Sequence, residues 1–434
     1  MKRKFKIAAI TLTPLILGVV VLLVVVRSVL VEISYQAEPT DIRRGECHWD
    51  QGVITGGSGN MRYLNLDHYS YHHLYRVSND DNLKKTALRI SGKFPYARFL
   101  SFNFGDISSM DMVGSLTDYE IVPEAGSQNP FHNGVSRETA DREYAFWLLP
   151  EGSKIEKENG FYVPETSNRF QMTIRVYGAD RNQNTLGGEL PKIEAFKLSS
   201  VESGELEITD CPSHSSQSAE VQSGGMLNFI VRLFKRNYPP QEYDAGETIR
   251  FFRTPVPKGA TENNGAHIVS KLNTSYGEVA IIKVRVPIYP KTRDGGGVFK
   301  KDEQIRYTSI CSYDSIIPIY LSLGCVFDED MQIDEERRVV VVLSSDDRIR
   351  QKAESLGFNF LPMQGHRPWL MQRQFVPHRD FEGNFRDIVP VAMIDDNFSK
   401  DLAADNFVGE YAPTGGYCDQ DAFLKLGLDC LKPE

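Results

Sequence analysis

The stretch Arg98-Phe99-Leu100-Ser101-Phe102-Asn103-Phe104, led in by Gly92 and Pro95, is short and rich in aromatic residues, the composition of a β-strand. Runs of the same kind recur at residues 88–91, 144–149, 170–177, 278–286, 316–323 and 338–343. Each is rich in Ile, Val, Tyr or Phe and bounded by Gly, Pro, Asn or Asp. No regular strand-helix alternation separates them, and no internal repeat of fixed period is visible. The expected fold is therefore mostly β, with two antiparallel β-sandwich or jelly-roll-like domains and a few short helices. Helices are expected at 226–236, stopped by Pro239 and Pro240, at 346–356, capped by Ser345 and stopped by Gly357, and at 419–426, ending at Gly427.

Outward from these runs, the chain has 434 residues, 41% of them hydrophobic and 25% charged, an ordinary globular composition that excludes disordered, collagen-like and coiled-coil classes. The N-terminus departs from it. Lys2, Arg3, Lys4 and Lys6 precede an uncharged run at 7–26, long enough as a helix to cross a bilayer core of about 30 Å. The run exceeds the apolar core of a cleavable signal, and no small-residue cleavage site follows it. It reads as an uncleaved signal anchor with its basic end in the cytoplasm and the body of the chain outside. The expected organisation is a cytoplasmic tip and transmembrane helix at 1–33, a first β-rich domain at 34–198, a Ser/Gly-rich linker or insertion at 199–225 and a second β-rich domain at 226–434.

The chain carries 49 basic and 58 acidic side chains, a formal net charge of −9. The basic N-terminus makes the remainder more acidic still, which argues against nucleic acid or an anionic lipid surface as partner of the body. All six cysteines, Cys47, Cys211, Cys311, Cys325, Cys418 and Cys430, follow the anchor, in a compartment where disulfides persist. Sequence leaves fifteen connectivities open, although Cys311 with Cys325 and Cys418 with Cys430 are close enough to meet across a hairpin or short turn, leaving Cys47 with Cys211. A zinc site is the rival use, but no C-x-x-C spacing is present.

Other chemistry is thinly marked. His68, His72 and His73 would approach metal-ligand spacing only on a helix, whereas Tyr69, Tyr71, His73 and Tyr75 alternate as on a strand; no metal is expected there. The acidic stretch Asp328, Glu329, Asp330, Asp334, Glu335 and Glu336 lacks the order of a calcium loop and reads as a solvated hairpin end. No nucleophile elbow, zincin motif, P-loop or dinucleotide fingerprint occurs, and no cofactor is expected. Asp118, Glu120, His132, His366 and Asp380 remain dispersed candidates for a loop-built acid-base site.

Three blocks point further. Gly92-Lys93-Phe94-Pro95-Tyr96-Ala97-Arg98-Phe99-Leu100-Ser101-Phe102 is the first. The second is Leu116-Thr117-Asp118-Tyr119-Glu120-Ile121-Val122-Pro123 with Gly126-Ser127-Gln128-Asn129-Pro130-Phe131. The third is Arg175-Val176-Tyr177 with Gly187-Gly188-Glu189-Leu190-Pro191, and a further block spans 306–314. Together they resemble a family of uncharacterised, mostly bacterial, membrane-anchored or secreted β-rich proteins. The resemblance implies a sheet fold and transfers no active site. Within the first block, Arg98 stands among hydrophobic neighbours and calls for a carboxylate; Asp118 is the expected partner, in a structural ion pair rather than an anion site.

The resulting expectation is a membrane-anchored extracytoplasmic binding or scaffolding module for an envelope polysaccharide, lipid or protein. The alternative is an extracytoplasmic hydrolase acting on glycan or lipid.

Overall fold

A computed structural model describes residues 44–49, 54–55, 70–78, 82–106, 111–167, 169–212, 248–253, 265–298, 302–316, 319–364, 368–391 and 400–431. The expected transmembrane run and the expected helix at 226–236 lie outside the described residues, as do His68 and His366. No helix among the described residues is long and apolar enough to cross a membrane.

The first half contributes β1 (Glu46–Cys47), β2 (Ile54–Thr55), β3 (Ser70–Ser78), β4 (Thr86–Lys93), β5 (Phe99–Asp106), β6 (Asp111–Thr117), β7 (Glu143–Pro150), β8 (Gly160–Val163), β9 (Arg169–Tyr177) and β10 (Lys192–Lys197). The second contributes β11 (Thr248–Ile249), β12 (Phe252–Arg253), β13 (Gly265–Lys271), β14 (Val279–Arg285), β15 (Ile305–Ile316), β16 (Ile319–Phe327), β17 (Arg338–Ser344), β18 (Asn359–Pro362), β19 (Pro368–Pro377) and β20 (Thr414–Cys418). In the first half, a sheet ordered β1-β10-β4-β7-β8 shares a core with one ordered β2-β3-β9-β5-β6, through Leu88, Ile90, Phe146 and Ile193 against Leu100, Phe102, Phe104 and Met172. The second half is ordered β11-β20-β14-β17-β18 and β12-β13-β19-β15-β16, around Ile282, Val284, Val341, Ile268 and Ile310.

Raising every strand number of the first half by ten reproduces the second. The chain is thus a structural duplication, although it shows no sequence repeat of fixed period. Loops of unequal length change the offset at each strand, and most equivalent positions hold different residues, so no fixed period survives in sequence. Detail recurs nonetheless. Ser101 pairs with Thr117 and Arg175 as Ser309 pairs with Phe327 and Arg373, and both hairpins carry a bulge at one position, between Phe104 and Gly105 and between Ser312 and Tyr313. Asn159 accepts from Val122 N at 2.9 Å and donates to the carbonyls of Val122 and Ala145. Asn359 accepts from Gln332 N at 2.9 Å and donates to those of Gln332 and Val340.

The strand runs land on strands with two corrections. Residues 316–323 form no single strand: Ile316 closes β15 and Ile319 opens β16, with Pro318, which cannot donate to a ladder, between them. Nor are the sheets wholly antiparallel, since β7–β8 and β17–β18 pair in parallel. The helix expected from 346 is α2 (Asp347–Ser355), following α1 (Leu198–Glu202); Asp346, not Ser345, caps it by accepting from Arg348 N at 2.8 Å. α3 (Asp405–Val408) and α4 (Gln420–Leu426) follow, with Gly427 at φ +61° ending α4 as expected. The start of the serine-rich stretch is not loose linker. It forms α1, then pairs Ile208 with Phe196 and ends at the Cys47–Cys211 bridge. Cys311–Cys325 and Cys418–Cys430 complete the three disulfides.

The halves meet through the faces of the β5 and β15 sheets that point away from their cores. Phe99, Tyr177, Tyr307 and Phe375 form a buried aromatic cluster in which Phe99–Phe375 and its symmetry equivalent Tyr177–Tyr307 both stand 5.2 Å apart. The long β14–β15 connection also crosses over, placing Val298 in the first core.

Candidate functional site

Arg98 and Asp118 do not pair with each other. Arg98 Nη1 donates to both oxygens of Asp328, at 2.8 and 3.0 Å, and Nη2 to Glu329. Its Nε donates to Thr292 Oγ1 at 2.8 Å. Asp118 instead takes Arg306, the duplicate of Arg98, while Asp328 is the duplicate of Asp118. Each carboxylate also accepts from its own strand, Leu100 N to Asp118 at 2.7 Å and Thr308 N to Asp328 at 2.9 Å. The two ion pairs are therefore reciprocal, each half lending its arginine to the other's aspartate across the interface. The expected pairing fails because each Asp lies beside its own strand's start, where the facing guanidinium comes from the other half.

All four groups are buried. Burial pushes the carboxyls of Asp118 and Asp328 above the usual range, Asp328 to about 7, with the facing arginines pulling the other way. Each aspartate is engaged by the other half's arginine and by its own half's backbone, so the arrangement is a lock between halves rather than a ligand site. Within the acidic stretch Asp328 is wholly buried and Glu329 nearly so, against the solvated reading, whereas Asp330, Asp334, Glu335 and Glu336 are exposed as expected. Of the dispersed candidates, Glu120 accepts from Thr117 N and His132 contacts the Tyr119 carbonyl, both local structural roles.

Asp380 differs. It lines a cleft of about 220 Å³ together with Glu303, Gln304, His378, Glu382 and Tyr411. The β19 strand ends at Pro377, and the chain turns through His378 to Asp380, where Phe381 N donates to the His378 carbonyl. Buried Gln374 holds the far side of this turn, donating to the Gly383 carbonyl at 3.1 Å and accepting from Phe385 N at 3.2 Å. Phe381 and Tyr411 pack edge to face at 4.9 Å, and a Cβ on Gly383 would collide with both. Gln304 forms the floor, accepting from Ile288 N and from His378 N. Over this rigid base the His378 and Asp380 side chains are 63% and 81% exposed, so the polar rim is available to a ligand.

The first half treats the equivalent positions otherwise. Tyr96 stands where Gln304 does, and Asp180, which donates its N–H to the Tyr96 carbonyl, stands where His378 does. There Gly187 packs directly on the Tyr96 backbone, Arg142 lies 3.8 Å over the Tyr96 ring, and Asp180 is engaged by buried Arg137. The cleft in the second half is thus a departure from its twin. Asp380 is legible as a candidate in sequence, but the remainder is not, since Glu303, Gln304, Glu382 and Tyr411 come from three segments with no common motif.

No protein-family model and no curated protein matches the chain. Among solved structures, the chain is similar to an uncharacterised protein from Burkholderia cenocepacia, at 12% identity and a TM-score of 0.51, over 82% of this chain and 84% of that one. It is also similar to a protein from Vibrio parahaemolyticus at 9% identity, over 81% of this chain and 89% of that one, with a TM-score of 0.39. The Burkholderia likeness defines a shared fold.

Proposed function

We propose that the protein is a membrane-tethered extracytoplasmic binding module whose second half holds a single polar residue of an envelope polysaccharide in the Glu303–Tyr411 cleft. The observation that carries this reading is the cleft itself, open in one duplicate and packed shut in the other. Its size sets the ligand: at about 220 Å³ it falls below the roughly 300–1,000 Å³ of pockets for drug-sized molecules and suits one sugar ring. Three carboxylates, an imidazole and the Tyr411 phenol favour a hydroxyl-rich or cationic group over a lipid chain. The apolar run at 7–26 and the three disulfides support the tethered, oxidising location, as does the resemblance in the 92–102 block.

The full chain in detergent, presented with an array of neutral, acidic and amino-sugar glycan fragments, tests this. Binding that falls at least tenfold in both Glu303→Gln and Asp380→Asn supports the cleft, whereas binding untouched by either variant removes it. The presence of Glu303, Asp380 and Glu382 around one cleft favours a second reading, glycoside hydrolysis by an acid-base pair. Release of reducing ends from a bound fragment would select that reading.

A further inference from the structure

We infer that Cys311–Cys325 is a reversible thiol–disulfide exchange site for an extracytoplasmic dithiol reductant, rather than a permanent structural bridge. The inference is independent of the cleft. The two cysteines are directly opposed on β15 and β16, with Cα atoms 4.0 Å apart. The other bridges span 5.6 and 5.8 Å. β16 is the edge strand of its sheet, and Cys325 on it is partly exposed, whereas Cys311 on the adjoining strand is fully buried. Of the two residues, Cys325 is therefore the one an incoming thiolate can approach. Beside the other sulfur, Arg373 Nη1 lies 3.5 Å from Cys311 Sγ. A guanidinium so placed stabilises the thiolate that Cys311 becomes, and a stabilised thiolate is the better leaving group.

A thiolate of the dithiol bonds to Cys325 Sγ as the Cys311–Cys325 bond breaks, and the bonding pair leaves on Cys311 as a thiolate facing Arg373. The second thiol of the reductant then loses its proton and attacks the mixed disulfide, and Cys325 departs and takes up a proton. The reductant ends as its own disulfide, two electrons poorer, and the protein ends with Cys325 as a thiol and Cys311 as a thiolate facing Arg373.

The duplication shows that the fold does not need this bridge. In the first half the equivalent opposed pair is Asn103 and Ser115, on the same bulged hairpin, with no crosslink. Reduction should accordingly leave the sheet in place.

The test titrates the full chain in detergent with dithiothreitol, traps free thiols by alkylation and assigns them by peptide mass spectrometry while circular dichroism follows the fold. Cys311 and Cys325 are expected to become labelled at a reductant concentration at least tenfold below that for the other two pairs, with the β signal unchanged. Arg373→Gln is expected to raise that concentration about tenfold and Arg373→Lys to restore it. Should Arg373→Gln fail to fold, the pH profile of Cys311 alkylation in the reduced native chain serves instead; its midpoint is expected below the ordinary cysteine value of about 8.5. Simultaneous reduction of all three bridges with loss of structure, prior opening of Cys418–Cys430, or a Cys311 midpoint at or above 8.5 overturns the inference.

Discussion

Arg98 has no exposed surface, and its guanidinium depends for partners on Asp328, Glu329 and Thr292 arriving from the other half. Removing one member of such a pair leaves its partner charged and buried, which costs about 3–5 kcal/mol. Arg98→Ala and Asp118→Ala should each lower the urea denaturation free energy by about that amount, although neither touches the other. Replacing Arg98 and Asp328 together by Met and Leu should cost much less than the sum of the single changes, a coupling that a double-mutant cycle in urea measures directly. His267 provides a pH signal of known sign. Burial, with Arg373 and Arg253 nearby, lowers its pKa from 6.5 to about 4, so the folded chain holds it neutral where the unfolded chain protonates it. Its contribution is fully present above pH 6.5 and is lost as pH falls from 6.5 to 4. The stability of His267→Gln should therefore fall less steeply than wild type across that window, measured as the denaturation midpoint against pH.

Among elements, the two parallel edge pairs depend on one asparagine each. Asn159 and Asn359 satisfy three backbone groups apiece in the same pattern, binding the chain after the β6 and β16 hairpins to the strand before β8 and β18. Asn159→Ala and Asn359→Ala should each destabilise by about 1–3 kcal/mol through the partners left unpaired, with similar values at the two sites, read from chemical denaturation. β7 and β17 were legible in sequence because their residue types are local properties, whereas the four-residue β8 and β18 fall outside every expected run. α2 was legible too, but its cap was shifted by one residue, since Ser345 and Asp346 are both competent and only the chain direction leaving β17 selects Asp346. Asp328 and Glu329 depart from the expected solvated hairpin end for a related reason. A carboxylate at a hairpin end looks solvated until the element that covers it is known, and here that element is the start of β5 in the other half.

At the scale of the whole molecule, the aromatic cluster and the reciprocal ion pairs join two five-plus-five-strand units into one body. Calorimetry should show a single cooperative transition rather than two. Charge reversal at one pair, Arg98→Asp with Asp328→Arg, should preserve that single transition better than either change alone. The cleft belongs to this scale as well: it exists because the second copy of the fold retains Gln304 and His378 where the first has Tyr96 and Asp180 packed beneath Gly187 and Arg142. Composition, the apolar N-terminal run, strand-forming residue types and the close pairs of cysteines are short-range properties, and they were sufficient to indicate a β-rich body, several of its longer strands and the bridges within reach in the chain. The duplication, the exchange of arginines between halves and the gathering of Glu303, His378, Asp380 and Tyr411 around one cleft depend on contacts between residues far apart in the chain. Local composition carries no record of such contacts, because what brings those residues together is the burial of apolar faces and the pairing of buried charges in three dimensions.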